Sequence, residues 1–120
     1  MLDPAAVAKL ERAEGGVASV RSQAAALKAS ALPAAARLRH LAIRGDLAAA
    51  LEEAGRLRAE AEIFGLRRLA NRLIELERVA VLDELGQAHL QSQALARLID
   101  DEIEEDFDAL DAHLKASAGA

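Results

Sequence analysis

Apolar residues recur along this chain in alternating steps of three and four, the spacing that gathers side chains on one face of a helix. Leu2-Asp3-Pro4 opens the pattern: Asp3 can cap free amides, Pro4 fits a first helical position, and Leu2 can staple back onto the helix. The first helix is expected to run to about Glu14 and to stop at Gly15-Gly16. A second pattern covers Val17 to Ile43, with Val17, Val20, Ala24, Leu27 and Ala31 on one seam, continued by Leu38, Leu41 and Ala42. Pro33 lies inside it and predicts a kink or break near Leu32. After an Arg44-Gly45-Asp46 turn, a third helix spans Leu47 to about Ile63, its apolar face formed by Ala50, Ala54, Leu57, Ala61 and Phe64.

Gly65 ends that helix, and Leu66, Leu69, Leu73, Leu76 and Ala80 carry the rhythm through a fourth. A loop is expected over Asp83 to Gly86. The last helix is expected from about Gln87 to Lys115, striped by Leu95, Ile99, Ile103, Phe107, Leu110 and Leu114, with residues 116–120 as a frayed tail. Short connections favour antiparallel neighbours. The expected architecture is therefore all-α, an up-and-down antiparallel four-helix bundle with a short extra N-terminal helix. It forms one domain over residues 1–120, with a core of about 3–115.

Composition sharpens this picture. Alanine makes up about a quarter of the 120 residues, and Phe64 and Phe107 are the only aromatic side chains. Strands favour β-branched and aromatic residues, so helices meshing Leu and Ile against Ala are the expected core. The net charge of −5 is uneven. Residues 1–80 hold thirteen Lys/Arg against ten Asp/Glu, and residues 81–120 hold two against ten. No basic tail or aromatic platform points to nucleic acid. The absence of cysteine excludes disulfides, thiolate metal sites and cysteine nucleophiles. No apolar run nears the length of a membrane span, and the N-terminus lacks a charged-then-apolar signal pattern, so a soluble cytoplasmic protein is expected. The richness in Ala, Leu, Arg and Gly suits a bacterium of high GC content.

One residue breaks the local rules. Gly55 stands in the middle of the third helix, where glycine costs about 1 kcal/mol relative to alanine. It shares the non-core face of that helix with Arg58, Ala59 and Glu62, one turn apart.

Three stretches together carry a resemblance: LDPAAVAKLERAEGG, ALPAAARLRHLAIRGDLAAALEEA and FGLRRLANRLIELE. In order and in turn spacing the chain resembles the histidine-containing phosphotransfer (HPt) domains of bacterial phosphorelays. That family carries His-x-Leu-Lys-Gly followed by small residues, with a turn glycine ten positions after the histidine. Ten positions before Gly65 stands Gly55; Leu57 matches the family's leucine, Arg58 its lysine and Ala59 its small glycine. The resemblance implies a degenerate member that keeps the frame and lacks the phosphoacceptor. In the family the imidazole attacks an aspartyl phosphate of a receiver domain, and glycine has no side chain with which to do so. The implied function is that of a non-catalytic binding protein, without cofactor. It would dock a receiver domain of a response regulator, or a histidine kinase, and modulate a two-component phosphorelay. Across an antiparallel hairpin turning at Gly65, residue 55 is expected roughly opposite residue 75. This places Asn71, Arg72 and Glu75 beside Gly55, Arg58, Ala59 and Glu62 as the partner-binding patch.

Two other readings come from different classes. An active phosphotransfer protein would use a displaced histidine, yet His40, His89 and His113 all lack the motif. None has a second histidine three or four residues away, so no metal site is expected either. A structural helical bundle would share only the architecture. The acidic run from Asp100 to Asp111 keeps Ile103 and Phe107 at helical spacing and has no glycine turn, so it reads as a charged helix face or a surface for a basic partner.

Overall fold

The computed structural model describes residues 1–81 and 88–119. They form five helices: α1 (Pro4–Glu14), α2 (Val17–Ile43), α3 (Leu47–Ile63), α4 (Arg67–Val81) and α5 (Ala88–Gly119). No strand occurs among the described residues. The loop expected at Asp83 to Gly86 lies outside them.

The helix ends follow from local chemistry. Asp3 Oδ1 accepts the amides of Ala5 and Ala6 at 3.2 and 3.5 Å, and Asp46 Oδ1 accepts that of Ala49 at 3.2 Å. Each carboxylate satisfies donors that the first turn of a helix leaves open. Gly65 carries a positive φ of 69° that L-residues rarely adopt, and it reverses the chain between α3 and α4.

Two helices run longer than their sequences suggest. The break expected near Leu32 is absent, for α2 continues unbroken through Pro33. Proline removes the amide that would bond the carbonyl of Ala29. Both residues are exposed, so water can take that partner's place. In the last helix, α5 passes the expected end at Lys115 and continues to Gly119, with Ser117 Oγ donating to the His113 carbonyl at 3.1 Å.

The four long helices close into a ring: α2 packs on α3 and α5, and α4 packs on the same two. This is an up-and-down bundle, 51 by 22 by 19 Å, whose long dimension matches the rise of about 48 Å expected for a 32-residue helix. The expected apolar seams meet at its centre. Leu38, Leu66, Leu69, Leu73, Leu76, Ile99, Ile103, Leu110 and Leu114 are fully buried, interleaved with Ala35, Ala42, Ala50, Ala54 and Ala96. Alanines let the helix axes approach closely while the branched side chains fill the gaps, which brings the interior toward close packing.

The short helix α1 lies against α2 and α3. Its N-terminus is latched to the α3–α4 turn: the Asp3 amide donates to the Gly65 carbonyl at 2.8 Å, and Arg67 Nη2 lies 3.5 Å from Asp3 Oδ1. This latch sets one end of the surface on which Gly55 sits.

Candidate functional site

The core face of α3 is fixed by Ala50, Ala54, Leu57 and Ala61, all buried, so the residues between them must point outward or sideways. Gly55 and Arg58 are half-buried on the flank nearest α4, and Ala59 and Glu62 are exposed. A Cβ at Gly55 would meet a single neighbour within 4 Å, Glu77 Oε1 at 3.6 Å. The position is therefore open enough for a side chain, and no imidazole stands beside it. His40 is exposed near the C-terminal end of α2; His89 packs on the α2–α3 turn, its Nδ1 3.0 Å from where a Cβ of Gly45 would be; His113 is half-buried on α5.

Glu77 is the residue that sequence reasoning missed. Arg58 Nε donates to both of its carboxylate oxygens, at 3.1 and 3.0 Å, and Arg58 Nη1 donates to Glu62 Oε1 at 3.3 Å. The hydrogen bonds from Glu77 and then Glu62, with the charges of both, hold the Arg58 guanidinium above its ordinary range. The one cation of the motif is thus already engaged by two carboxylates of its own chain.

The α4 side chain that reaches Gly55 is Glu77 rather than Glu75. Helical side chains lean toward their own N-terminus. A long side chain at 77 on α4 therefore reaches back to the level of Gly55, while Glu75 turns away and pairs with Arg78. The three α4 residues of the expected patch separate accordingly. Asn71 lines a cleft with Ala61, Glu62, Gly65 and Ile74, contiguous with the α3 flank. Arg72 is drawn toward α5, its Nε 3.2 Å from Glu102 Oε1. Glu75 and Arg72 share a second cleft with Met1 and Arg68, which Asn71 also borders. Glu77 is thus the residue beside Gly55, joined through Arg58 to Glu62; Asn71 borders Glu62 nearer the turn, and Ala59 lies toward α1.

Two isoleucines add apolar area to this surface. Ile63 is 56% exposed and Ile74 is 45% exposed. Ile63 lines an open groove between α1 and α3 with Ala6, Leu10, Ala13, Ala59 and Glu62.

The acidic run on α5 has internal partners. Asp100 and Asp101 meet Arg39 of α2 at 3.2 and 3.8 Å, Asp108 meets Lys28 at 3.3 Å, and Asp111 meets Arg21 at 3.4 Å. On the other flank Arg68 of α4 reaches Asp106 at 2.8 Å, with Glu102 and Glu105 both at 3.4 Å. Asp106 is only 5% exposed; burial pushes its carboxyl up, against the bond and charge of Arg68 that pull it down. Lys115, then Arg21, holds the half-buried Asp111 below the usual carboxylate range. These cations from α2 and α4 explain why so dense a run of like charges is tolerated on one helix. No cluster of three or more potential metal-ligating side chains occurs among the described residues. No helix is long and apolar enough to cross a membrane, again among the described residues.

Comparison with family models, with curated proteins and with solved structures finds no match to this chain.

Proposed function

We propose that this protein is a non-catalytic, HPt-like binding module that docks on a receiver domain or a histidine kinase through the α3–α4 face around Gly55. In this way it modulates a two-component phosphorelay. The observation that carries the reading is the state of position 55. It lies on an accessible flank of a four-helix bundle, three residues before a cation and ten before the turn glycine, and it holds no side chain. The residue that resembles the family's phosphate-steadying cation is held by Glu77 and Glu62. A surface of this composition can seat a partner's backbone closely at the glycine and has no nucleophile to accept a phosphoryl group. By occupying the surface of a receiver that an active phosphotransfer protein would use, it would compete with the relay.

The test is direct. Purified receiver domains and histidine kinases of the source organism are titrated with the protein, and phosphorylated receivers are incubated with it. The expected result is saturable binding to at least one of them and no acid-labile label on the protein. Absence of binding to every receiver and kinase sinks the reading, as does stable transfer of label to any of its three histidines.

A further inference from the structure

We infer that the Gly55 face selects the phosphorylation state of its partner, accepting a receiver domain whose aspartate is unmodified and rejecting the same domain once phosphorylated. The inference rests on the docking reading above and adds to it the sign of the selection.

The basis is local charge. Glu77 lies beside Gly55, and Glu62, two turns further along α3, shares with it one guanidinium, that of Arg58. Glu52, three residues before Gly55 on the same side of α3, is exposed and has no ion-pair partner among the described residues. Three carboxylates against one arginine leave this flank of α3 and α4 with a net negative charge. The nearby cations do not reverse this. Arg67 is paired with Asp3 and Arg78 with Glu75; Arg56 shares the buried Glu53 with Arg37, which leaves that trio one positive charge in excess and the whole face still negative. Lys9 lies in the adjoining α1–α3 groove together with Glu62.

Glu77 spans the Arg58 Nε and Glu62 holds its Nη1, so an incoming anion must compete with two carboxylates for this guanidinium. A phosphoryl group brings between one and two further negative charges to the partner's face. Like charges brought together at an interface are costly and set which partner is refused. One such charge at about 8 Å, in an interface of intermediate dielectric, lowers affinity by about five-fold.

The experiment uses the full chain and each purified receiver domain, with Mg²⁺ alone or with Mg²⁺ and beryllofluoride as the aspartyl-phosphate mimic, followed by isothermal titration calorimetry. For a receiver that binds, the unmodified form is expected to bind about five-fold more tightly than the beryllofluoride form. The ratio should narrow toward one in Glu77→Gln and in Glu62→Gln, and in high salt. Equal or tighter binding of the beryllofluoride form overturns the inference and leaves the docking reading standing. A preference that persists unchanged in both charge-neutral variants also overturns it, since the discrimination would then arise from the receiver's shape. Failure of both forms of every receiver to bind removes the inference together with the reading beneath it.

Discussion

A Cβ placed on Gly65 would lie 2.8 Å from the carbonyl oxygen of Asp3, closer than side-chain carbons approach a backbone oxygen, and 3.0 Å from Val7 Cγ2. The α3–α4 turn and the start of α1 are thus fitted against each other at a spot that only glycine satisfies, with φ at 69°. Gly65→Ala has to strain the backbone and part the Asp3–Gly65 latch together. A loss of about 2–3 kcal/mol in urea unfolding is expected. A loss below about 0.5 kcal/mol would show that the latch gives way easily.

Gly55→Ala should behave in the opposite way. Its backbone is helical, and the added carbon makes an ordinary 3.6 Å contact with Glu77 Oε1. Replacing a helix-interior glycine by alanine is expected to raise stability by about 0.5–1 kcal/mol. A destabilised variant would mean that glycine serves packing at this position. A stabilised one leaves its presence to be explained by what the surface binds.

Arg68 governs how stability depends on pH through Asp106. Burial raises the Asp106 pKa, so its carboxyl favours the folded state when protonated, and that contribution is lost as pH rises through the raised folded value. Above that value the nearly buried charge depends on the 2.8 Å bond from Arg68. Arg68→Ala is therefore expected to cost about 2 kcal/mol at neutral pH, a value reduced for the partial exposure of the arginine. The difference from wild type should shrink as pH falls into the carboxylate range. Chemical denaturation at a series of pH values checks this, and a difference that widens in acid contradicts it.

Ser92 offers a gain in stability. Its hydroxyl is fully buried on α5 and has no hydrogen-bond partner among the described residues. Ser92→Ala removes an unsatisfied polar group without leaving a large void, and should stabilise by about 1 kcal/mol. A comparable loss in thermal or urea unfolding would show that the hydroxyl is paired in solution.

What lies on one helix was legible in the sequence. The three-and-four rhythm and the glycine turns located all five helices. The neighbourhood of Arg58 and Glu62 also followed from spacing alone, because residues one turn apart on a helix are fixed neighbours. What crosses between helices was not. Glu77 reaches Gly55 because its side chain leans back along α4, and Arg72 leaves the patch because Glu102 on α5 attracts it. Residue counting across a turn carries neither effect. The same holds for the acidic run of α5, whose partners on α2 and α4 lie between 30 and 90 residues away in sequence. At Pro33, where a kink or a break was expected, the helix does not break, since an exposed carbonyl can turn to water.

The measurement that bears most directly on the account is a heteronuclear NMR titration of the labelled protein with a receiver domain or kinase that binds it. The amides of Gly55, Arg58, Ala59, Glu62 and Asn71 are expected to shift together, with Glu77 and the methyls of Ile63 and Ile74, while α5 amides facing Arg21 and Lys28 stay fixed. Shifts confined to α5 or to the surroundings of His40, with the Gly55 flank unmoved, would contradict the claim that this bundle meets its partner over a position with no side chain.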